Sequence, residues 1–217
     1  MNRFVVVGLG SFGSSVAATL FSQGHEVIAV DQNAAAVDRA ARTVSKGVVG
    51  NGGDRTLLAR IGAEGADAGV VSTGDDLTAA ILATLALKDL GVPRVVCKVT
   101  SEEAARVMHR IGADESIFPE HESGRALGMR LLSGNVFNYF DLGAGYSVQE
   151  LAVPAPWQGR TLQDLNLRRT ERVTVIAVHD VVQDTLTIPP DPALPLGESD
   201  TLLLAGRTED LSRLSHR

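Results

Sequence analysis

The chain has 217 residues, of which 44% are hydrophobic and 21% charged, with a formal net charge of −6. That length allows one or two domains with proper cores and no need of staples. Basic residues number 12 against 15 acidic in residues 1–125, and 8 against 11 in 126–217. Neither part is a basic lobe, so nucleic acid is excluded as a natural partner, since its affinity comes from clustered Lys and Arg. A single cysteine, Cys97, rules out an intrachain disulfide and a Cys-based zinc site, and suits a reducing compartment. Met1-Asn2-Arg3 runs directly into Phe4–Gly8 without a signal-peptide layout. Apolar stretches such as Ala79–Leu87 are about half the ~20 residues a membrane span needs. These features predict a soluble, cytoplasmic protein that can still sit on a membrane partner.

From residue 3 to 118 short apolar runs alternate with segments of helical period. The runs are Phe4–Val7, Val27–Val30, Val48–Val49, Gly69–Val71, Val95–Val99 and Ser116–Phe118. Strands without polar alternation are buried on both faces, which predicts a parallel, doubly wound α/β sheet. Between them, Val16, Leu20 and Phe21 share one helical face. Leu57, Leu58 and Ile61 share another, and Leu82, Leu85 and Ala86 a third. Gly24, Gly62, Gly91-Val92-Pro93 and Gly112 close the helices. A further helix is predicted over 121–133. The aromatic run Asn135–Asp141, with Phe137, Tyr139 and Phe140, reads either as an oligomer surface or as a local hinge core. Four β runs follow: Ser147–Val153, Val173–Val178, Thr185–Ile188 and Thr201–Ala205. Short helices are predicted at Thr161–Leu167 and Glu209–Leu214.

Gly8-Leu9-Gly10-Ser11-Phe12-Gly13 is a GxGxxG loop between a buried strand and a helix, and Asp31 ends the second strand 18 positions after Gly13. The glycines allow a tight turn, close approach of the backbone to phosphate, and close helix–strand packing. The helix N-terminus offers free N–H groups and a positive dipole end to the phosphate. A carboxylate at Asp31 accepts from ribose hydroxyls and repels a 2′-phosphate, which disfavours NADP. Polar residues also fall at the other strand ends, where ligands bind in such sheets. They are Gln32 and Asn33, Asp54 and Arg55 after Gly52-Gly53, Thr73 and Gly74 before Asp75-Asp76, Lys98, and Glu120. Asp54, Asp76 and Ser101 also read as helix N-caps. The five histidines form no metal-ligand spacing, and Cys97 reads as an apolar filler. No nucleophile elbow or Walker A motif is present. The site reads as one that binds a nucleotide and is poorly equipped to react it.

GLGSFG, AVDQN, NGGDRTLL, STGDDLT, IGADESIFPE, GNVFNYFDL and the β-rich tail together resemble the Ktr/Trk-type potassium-transport regulators, over essentially the whole chain. The resemblance implies a Rossmann-like N-lobe of the regulator-of-potassium-conductance (RCK) type over 1–120. It further implies a helical crossover and dimerisation linker over 121–144 and a small α+β RCK C-lobe over 145–217. It implies a non-enzymatic regulator on the inner face of the membrane, built from dimers into an octameric ring that docks on an integral-membrane potassium transporter subunit. ATP/ADP or NAD(H) would bind with Gly8, Gly10, Ser11, Phe12 and Gly13 at the phosphates, and Asp31 and Asn33 on the ribose and adenine side. Asp54 and Arg55 would lie at the base, and Glu120 near the phosphates across the dimer, where a divalent or sodium cation can sit. Ser11 departs from the arginine that ATP-sensing relatives carry after the second glycine, and gives a neutral hydrogen bond in place of a charge-assisted one. In some relatives the C-lobe binds cyclic di-AMP. The run Asp164–Arg168 fits that ligand, with Gln163 in place of an aliphatic residue. Two other readings compete: a stand-alone NAD(H)-sensing module and a small NAD-dependent oxidoreductase.

Overall fold

A computed structural model describes residues 1–132 and 134–215. Ser133, the end of the predicted 121–133 helix, and His216 lie outside the described residues. The chain divides into two compact units, one up to His121 and one from Glu122 on.

The first unit is five βα steps and a closing strand. They run β1 (Arg3–Val7), α1 (Ser11–Ser22), β2 (Glu26–Asp31), α2 (Ala34–Ala40), β3 (Lys46–Val49) and α3 (Arg55–Ile61). These are followed by β4 (Ala68–Val71), α4 (Leu77–Asp89), β5 (Arg94–Lys98), α5 (Glu102–Ile111) and β6 (Glu115–Ile117). The strands form one parallel sheet in the order β3-β2-β1-β4-β5-β6. This is the doubly wound order whose direction of winding reverses between β1 and β4, which opens a crevice at their C-terminal ends. The apolar strand runs are buried as predicted in the centre: Val5, Val6, Val27, Ala29, Val30, Val71, Val95 and Cys97 are all fully buried. The edge strand β3 is not, and Val49 lies half exposed.

Two helix faces differ from the sequence reading. Helix α4 buries Ala80, Ala83, Thr84, Ala86 and Leu87, while Leu82 and Leu85 point outward. Small residues let α4 lie close to the sheet, and the two leucines remain on its far side. Helix α1 behaves alike: Gly13 and Ala17 are its buried residues, and Phe21 is left exposed at the rim. Cys97 packs beside Thr84 at 3.2 Å, and burial pushes its thiol above the ordinary range, consistent with a filler. The motif Ile111–Asp114 has a local cause. Gly112 ends α5 in the left-handed region (φ +116°). Asp114 Oδ2 then accepts from Val95 N at 2.6 Å and from Lys88 Nζ at 3.0 Å, tying the end of α4 to the start of β5.

Helix α6 (Pro119–Leu132) carries the chain out of the first unit. The second unit contains β7 (Val136–Gly143), β8 (Tyr146–Ala152), α7 (Leu162–Leu165), α8 (Leu167–Thr170), β9 (Thr174–Asp180), β10 (Thr185–Thr187), β11 (Asp200–Arg207) and α9 (Thr208–Ser215). Its five strands form an antiparallel sheet in the order β10-β9-β11-β8-β7. The stretch read as a helical crossover therefore ends in a strand: β7 joins the sheet along β8. Its aromatics divide, with Tyr139 turned into the core and Phe137 and Phe140 exposed. Leu151, Trp157, Leu165, Leu167, Leu202, Leu204, Leu211 and Leu214 form the core of this unit.

Candidate functional site

The crevice at the ends of β1, β2 and β4 is a cleft of about 370 Å3. Gly8 and Gly10, then Asp31 and Gln32, then Gly50 to Gly53, then Ser72 to Gly74 line it, with Asp76 and Ala79 at the start of α4. The three glycines of the loop differ in what they permit. A Cβ on Gly8 would lie 2.1 Å from the Ser72 carbonyl oxygen, and its φ of +93° is itself left-handed. A Cβ on Gly13 would lie 1.9 Å from the Gly8 carbonyl oxygen. Both glycines are therefore demanded by packing. Gly10 has an ordinary φ of −65°, and a Cβ there would meet nothing within 4 Å. The protein leaves this position bare without any steric need of its own.

Helix capping points to the same place. Helices α2 to α5 each have a side chain closing the N-terminus. Asn33 Oδ1 accepts from Ala35 N (3.0 Å), Asp54 Oδ1 from Thr56 N (2.8 Å), Asp76 Oδ1 from Ala79 N (2.9 Å) and Ser101 Oγ from Ala104 N (3.1 Å). Helix α1 has none: Gly10 supplies no side chain, and its first turn holds no acidic residue. An uncapped helix end carries unsatisfied N–H donors and about half a positive charge. Beside it stands Asp31, whose Oδ2 accepts from Leu9 N at 2.6 Å and whose Oδ1 accepts from Asn33 N at 2.8 Å. Each oxygen keeps a second lone pair for a ligand hydroxyl. A bare Gly10, an uncapped α1 and an oriented carboxylate fit the diphosphate and ribose of a nucleotide.

The structure brings together Gly8, Gly10, Asp31, Gln32, Thr73 and Gly74 around the cleft. The other predicted residues have different places. Ser11 and Phe12 belong to the first turn of α1, and Gly13 packs under Gly8. Asn33 and Asp54 spend their side chains on caps, and Arg55 is exposed at the start of α3. Lys98 and Glu120 form an ion pair with each other and do not line the cleft. The Lys98 hydrogen bond holds the Glu120 carboxyl below its ordinary 4.5. Within this chain the Glu120 carboxylate is held by Lys98. Among the described residues no group of three His, Cys, Asp or Glu could hold a metal ion.

The sequence reading missed Asn51 and Ser72. Asn51 Oδ1 accepts from Gly53 N at 2.9 Å and shapes the loop after β3. The signal was present as the Asn-Gly-Gly turn. His25 is structural, with its ring edge-on to Phe4 at 5.3 Å. His179 is not isolated: it lies between Glu150 and Asp184, a grouping that residues 29 and 5 apart in sequence do not announce. In the C-terminal unit, Asp164 closes a capping box with Thr161, and Leu165 and Leu167 are core. Of the Asp164–Arg168 run, that leaves Asn166 and Arg168 on the surface.

A doubly wound parallel sheet with an uncapped glycine loop and an acidic residue ending β2 defines a Rossmann-type nucleotide-binding domain, here followed by a small antiparallel domain. Residues 4–119 match the TrkA-N domain family and residues 148–217 the TrkA-C domain family. The chain belongs to the Ktr/Trk family of potassium uptake proteins. It is 30% identical over 215 residues to Ktr system potassium uptake protein C of Bacillus subtilis (strain 168), covering 99% of this chain and 96% of that one. Ktr system potassium uptake protein A of Vibrio alginolyticus is 33% identical over 210 residues, with 97% and 94% covered. Among solved structures the GsuK channel shares the fold at a TM-score of 0.70 and 20% identity, over 99% of this chain and 39% of that one. The TrkA-N domain of the inner membrane protein ybaL of Escherichia coli matches at 0.53 and 18% identity, over 60% of this chain and 96% of that domain.

Proposed function

We propose that this chain is a nucleotide-binding regulatory subunit of a membrane potassium uptake system, working on its cytoplasmic side as a ring of dimers. The observation that carries this reading is the bare, uncapped N-terminus of α1 beside Asp31. The N–H groups of that turn would hold a diphosphate, and Asp31 the adenosine ribose. The carboxylate faces the place of a 2′-phosphate, which favours ADP, ATP or NAD(H) over NADP(H). The lining residues are mostly backbone and small side chains with two carboxylates, Asp31 and Asp76, and the reading is of a cleft that binds its ligand. Ktr/Trk membership supports the transport role, since the relatives above are potassium uptake proteins. Lys98 and Glu120 belong to this reading as an edge that a second copy completes, with a cation joining there. Cyclic di-AMP, if it binds, does so at the surface residues Asn166 and Arg168 of the C-terminal unit.

Control follows from linkage: a nucleotide shifts the ring only by its differential affinity for two shapes. The test has two stages. Ligand-stripped protein is melted with ATP, ADP, NADH, NAD and NADPH in turn. Stabilisation by the first four and not by NADPH is expected. Flux through the reconstituted membrane subunit is then followed with Asp31→Ala. If that variant loses nucleotide binding while nucleotide control of flux persists, the proposal fails.

A further inference from the structure

The C-terminal unit holds a side-chain cluster outside any nucleotide site. Along β8, Ser147, Gln149 and Leu151 face the core, so Glu150 faces the other side of the sheet. There it meets groups from three more strands. Glu150 Oε1 accepts from Thr201 Oγ1 of β11 at 2.6 Å and lies 3.0 Å from His179 Nδ1 of β9. Its Oε2 accepts from Asn138 Nδ2 of β7 at 2.5 Å. The other ring nitrogen of His179, Nε2, lies 3.3 Å from Asp184 Oδ1. Asp184 sits in the turn between β9 and β10 at φ +51°, with its side chain 96% exposed against 13% for Glu150.

Two carboxylates therefore face one imidazole. A neutral ring has a single N–H and would turn a lone pair toward one of them; only the cation donates to both. Other charges nearby do not share the ring. Asp180 follows His179 and points to the opposite face, where Oδ1 accepts from Val182 N and Gln183 N. Asp200, its register partner on β11, accepts from Gly197 N. The strand partners of His179 are Thr201 on β11 and Leu186 on β10, and Leu203 lines the same cavity; none of the three titrates. The hydrogen bond that Glu150 accepts raises the His179 pKa above its ordinary 6.5, against the effect of burial, and Asp184 adds to the rise. Burial would push Glu150 up, yet the donors Thr201, His179 and Asn138 hold it below its ordinary 4.5.

We propose that protonated His179 is a proton-sensitive clip that fastens the β9–β10 hairpin to the five-stranded sheet. Loss of its proton leaves one N–H. Glu150, only 13% exposed, keeps it, because a lost donor is costlier there than at an exposed turn. Asp184 then faces a lone pair and swings to water. Strand β10 is only three residues long and pairs with β9 alone, so little else holds it. Leu186 and Ile188, both exposed apolar residues, move with it.

The test uses the full chain and two mass-spectrometric readouts. Exchange of histidine C2 hydrogens gives a titration midpoint for each histidine. Amide deuterium uptake over 181–188, corrected with an unstructured reference peptide, reports the hairpin. The expected result is a His179 midpoint above that of a histidine in the unstructured reference peptide, with hairpin uptake rising through that midpoint while uptake over 201–207 stays flat. Asp184→Asn suits the left-handed turn and leaves Glu150 untouched. It should lower the His179 midpoint and give low-pH hairpin uptake equal to the high-pH level of the parent. His179→Gln should abolish the pH dependence of uptake. A His179 midpoint no higher than that of the reference-peptide histidine, or hairpin uptake that ignores it, overturns the proposal.

Discussion

Gly10→Ala is the sharpest perturbation of the proposed nucleotide site. The new methyl would occupy open space, since no heavy atom lies within 4 Å, and φ of −65° suits alanine. Reduced freedom of the unfolded chain stabilises such a change by about 0.4–1 kcal/mol. Alanine is a poorer N-cap than glycine by a similar amount, so the two effects offset and the unliganded melting temperature should barely move. The same methyl projects into the space a phosphate needs. In the parent protein, ligand at 100 times its dissociation constant adds about 2.7 kcal/mol. At about 2–4 °C per kcal/mol for a chain of this size, that is roughly 5–11 °C. Differential scanning fluorimetry with ADP and with NADH should show this shift in the parent and lose it in Gly10→Ala. Gly13→Ala is the control of opposite kind: its Cβ would lie 1.9 Å from a backbone oxygen, and overpacking of that sort costs about 1–3 kcal/mol before any ligand is added. A Gly10→Ala protein that keeps the full ligand shift would refute the assignment of the phosphate to this turn.

Two further outcomes follow from charges. Glu120→Ala should destabilise by about 1–2 kcal/mol, the usual cost of stranding a buried polar group, because the Lys98 side chain it abandons is only 13% exposed. Lys98→Met should stay within ~0.5 kcal/mol, because Glu120 is 64% exposed and returns to water; urea melts of both variants check the asymmetry. The Glu150–His179 pair contributes stability inside a pH window. His179 is raised, so its share is whole below 6.5 and is lost as pH climbs through the folded value. Glu150 is lowered, so its share is whole above 4.5 and is lost as pH falls through the folded value. Chemical denaturation across pH should show both slopes in the parent; in the double variant Glu150→Gln/His179→Gln the high-pH slope should flatten and the acid slope should shrink to what Glu120 and Asp114 leave.

Much of this was legible because the relevant signals are local. The glycine loop, Asp31 and the caps Asp54, Asp76 and Ser101 are written in neighbouring residues, and all appear where spacing puts them. What was not legible depends on contacts between distant segments. Leu82 and Leu85 have the period of a buried face, yet α4 turns Ala80, Ala83, Ala86 and Leu87 inward and leaves those two outside. Lys98 and Glu120 each read as ligand groups, and folding gives them to one another. Asn135–Asp141 looked like part of a helical crossover, but it pairs along β8, with Tyr139 buried between exposed Asn138 and Phe140. His179 finds Glu150 only because β11 lies between β9 and β8, an order that no spacing announces.

The charge of the cleft decides how much a third phosphate can matter. Its lining has two acidic residues, Asp31 and Asp76, and neither Lys nor Arg. Attraction for phosphate must come from backbone N–H groups at one helix end, and that field falls off within a turn. The first phosphates gain most of it, and a terminal phosphate farther out meets no cation of this cleft. Ser11 adds at best a neutral hydrogen bond, about half as strong as a charge-assisted one. ADP and ATP should therefore bind the dissociated chain within a few-fold of each other, a difference below about 1.4 kcal/mol, as isothermal titration calorimetry would measure. A tenfold preference for ATP in the dissociated chain would contradict this, and would require a cation from this chain to reach the cleft. A preference that emerges only on assembly would instead place the discriminating charge on a neighbouring copy.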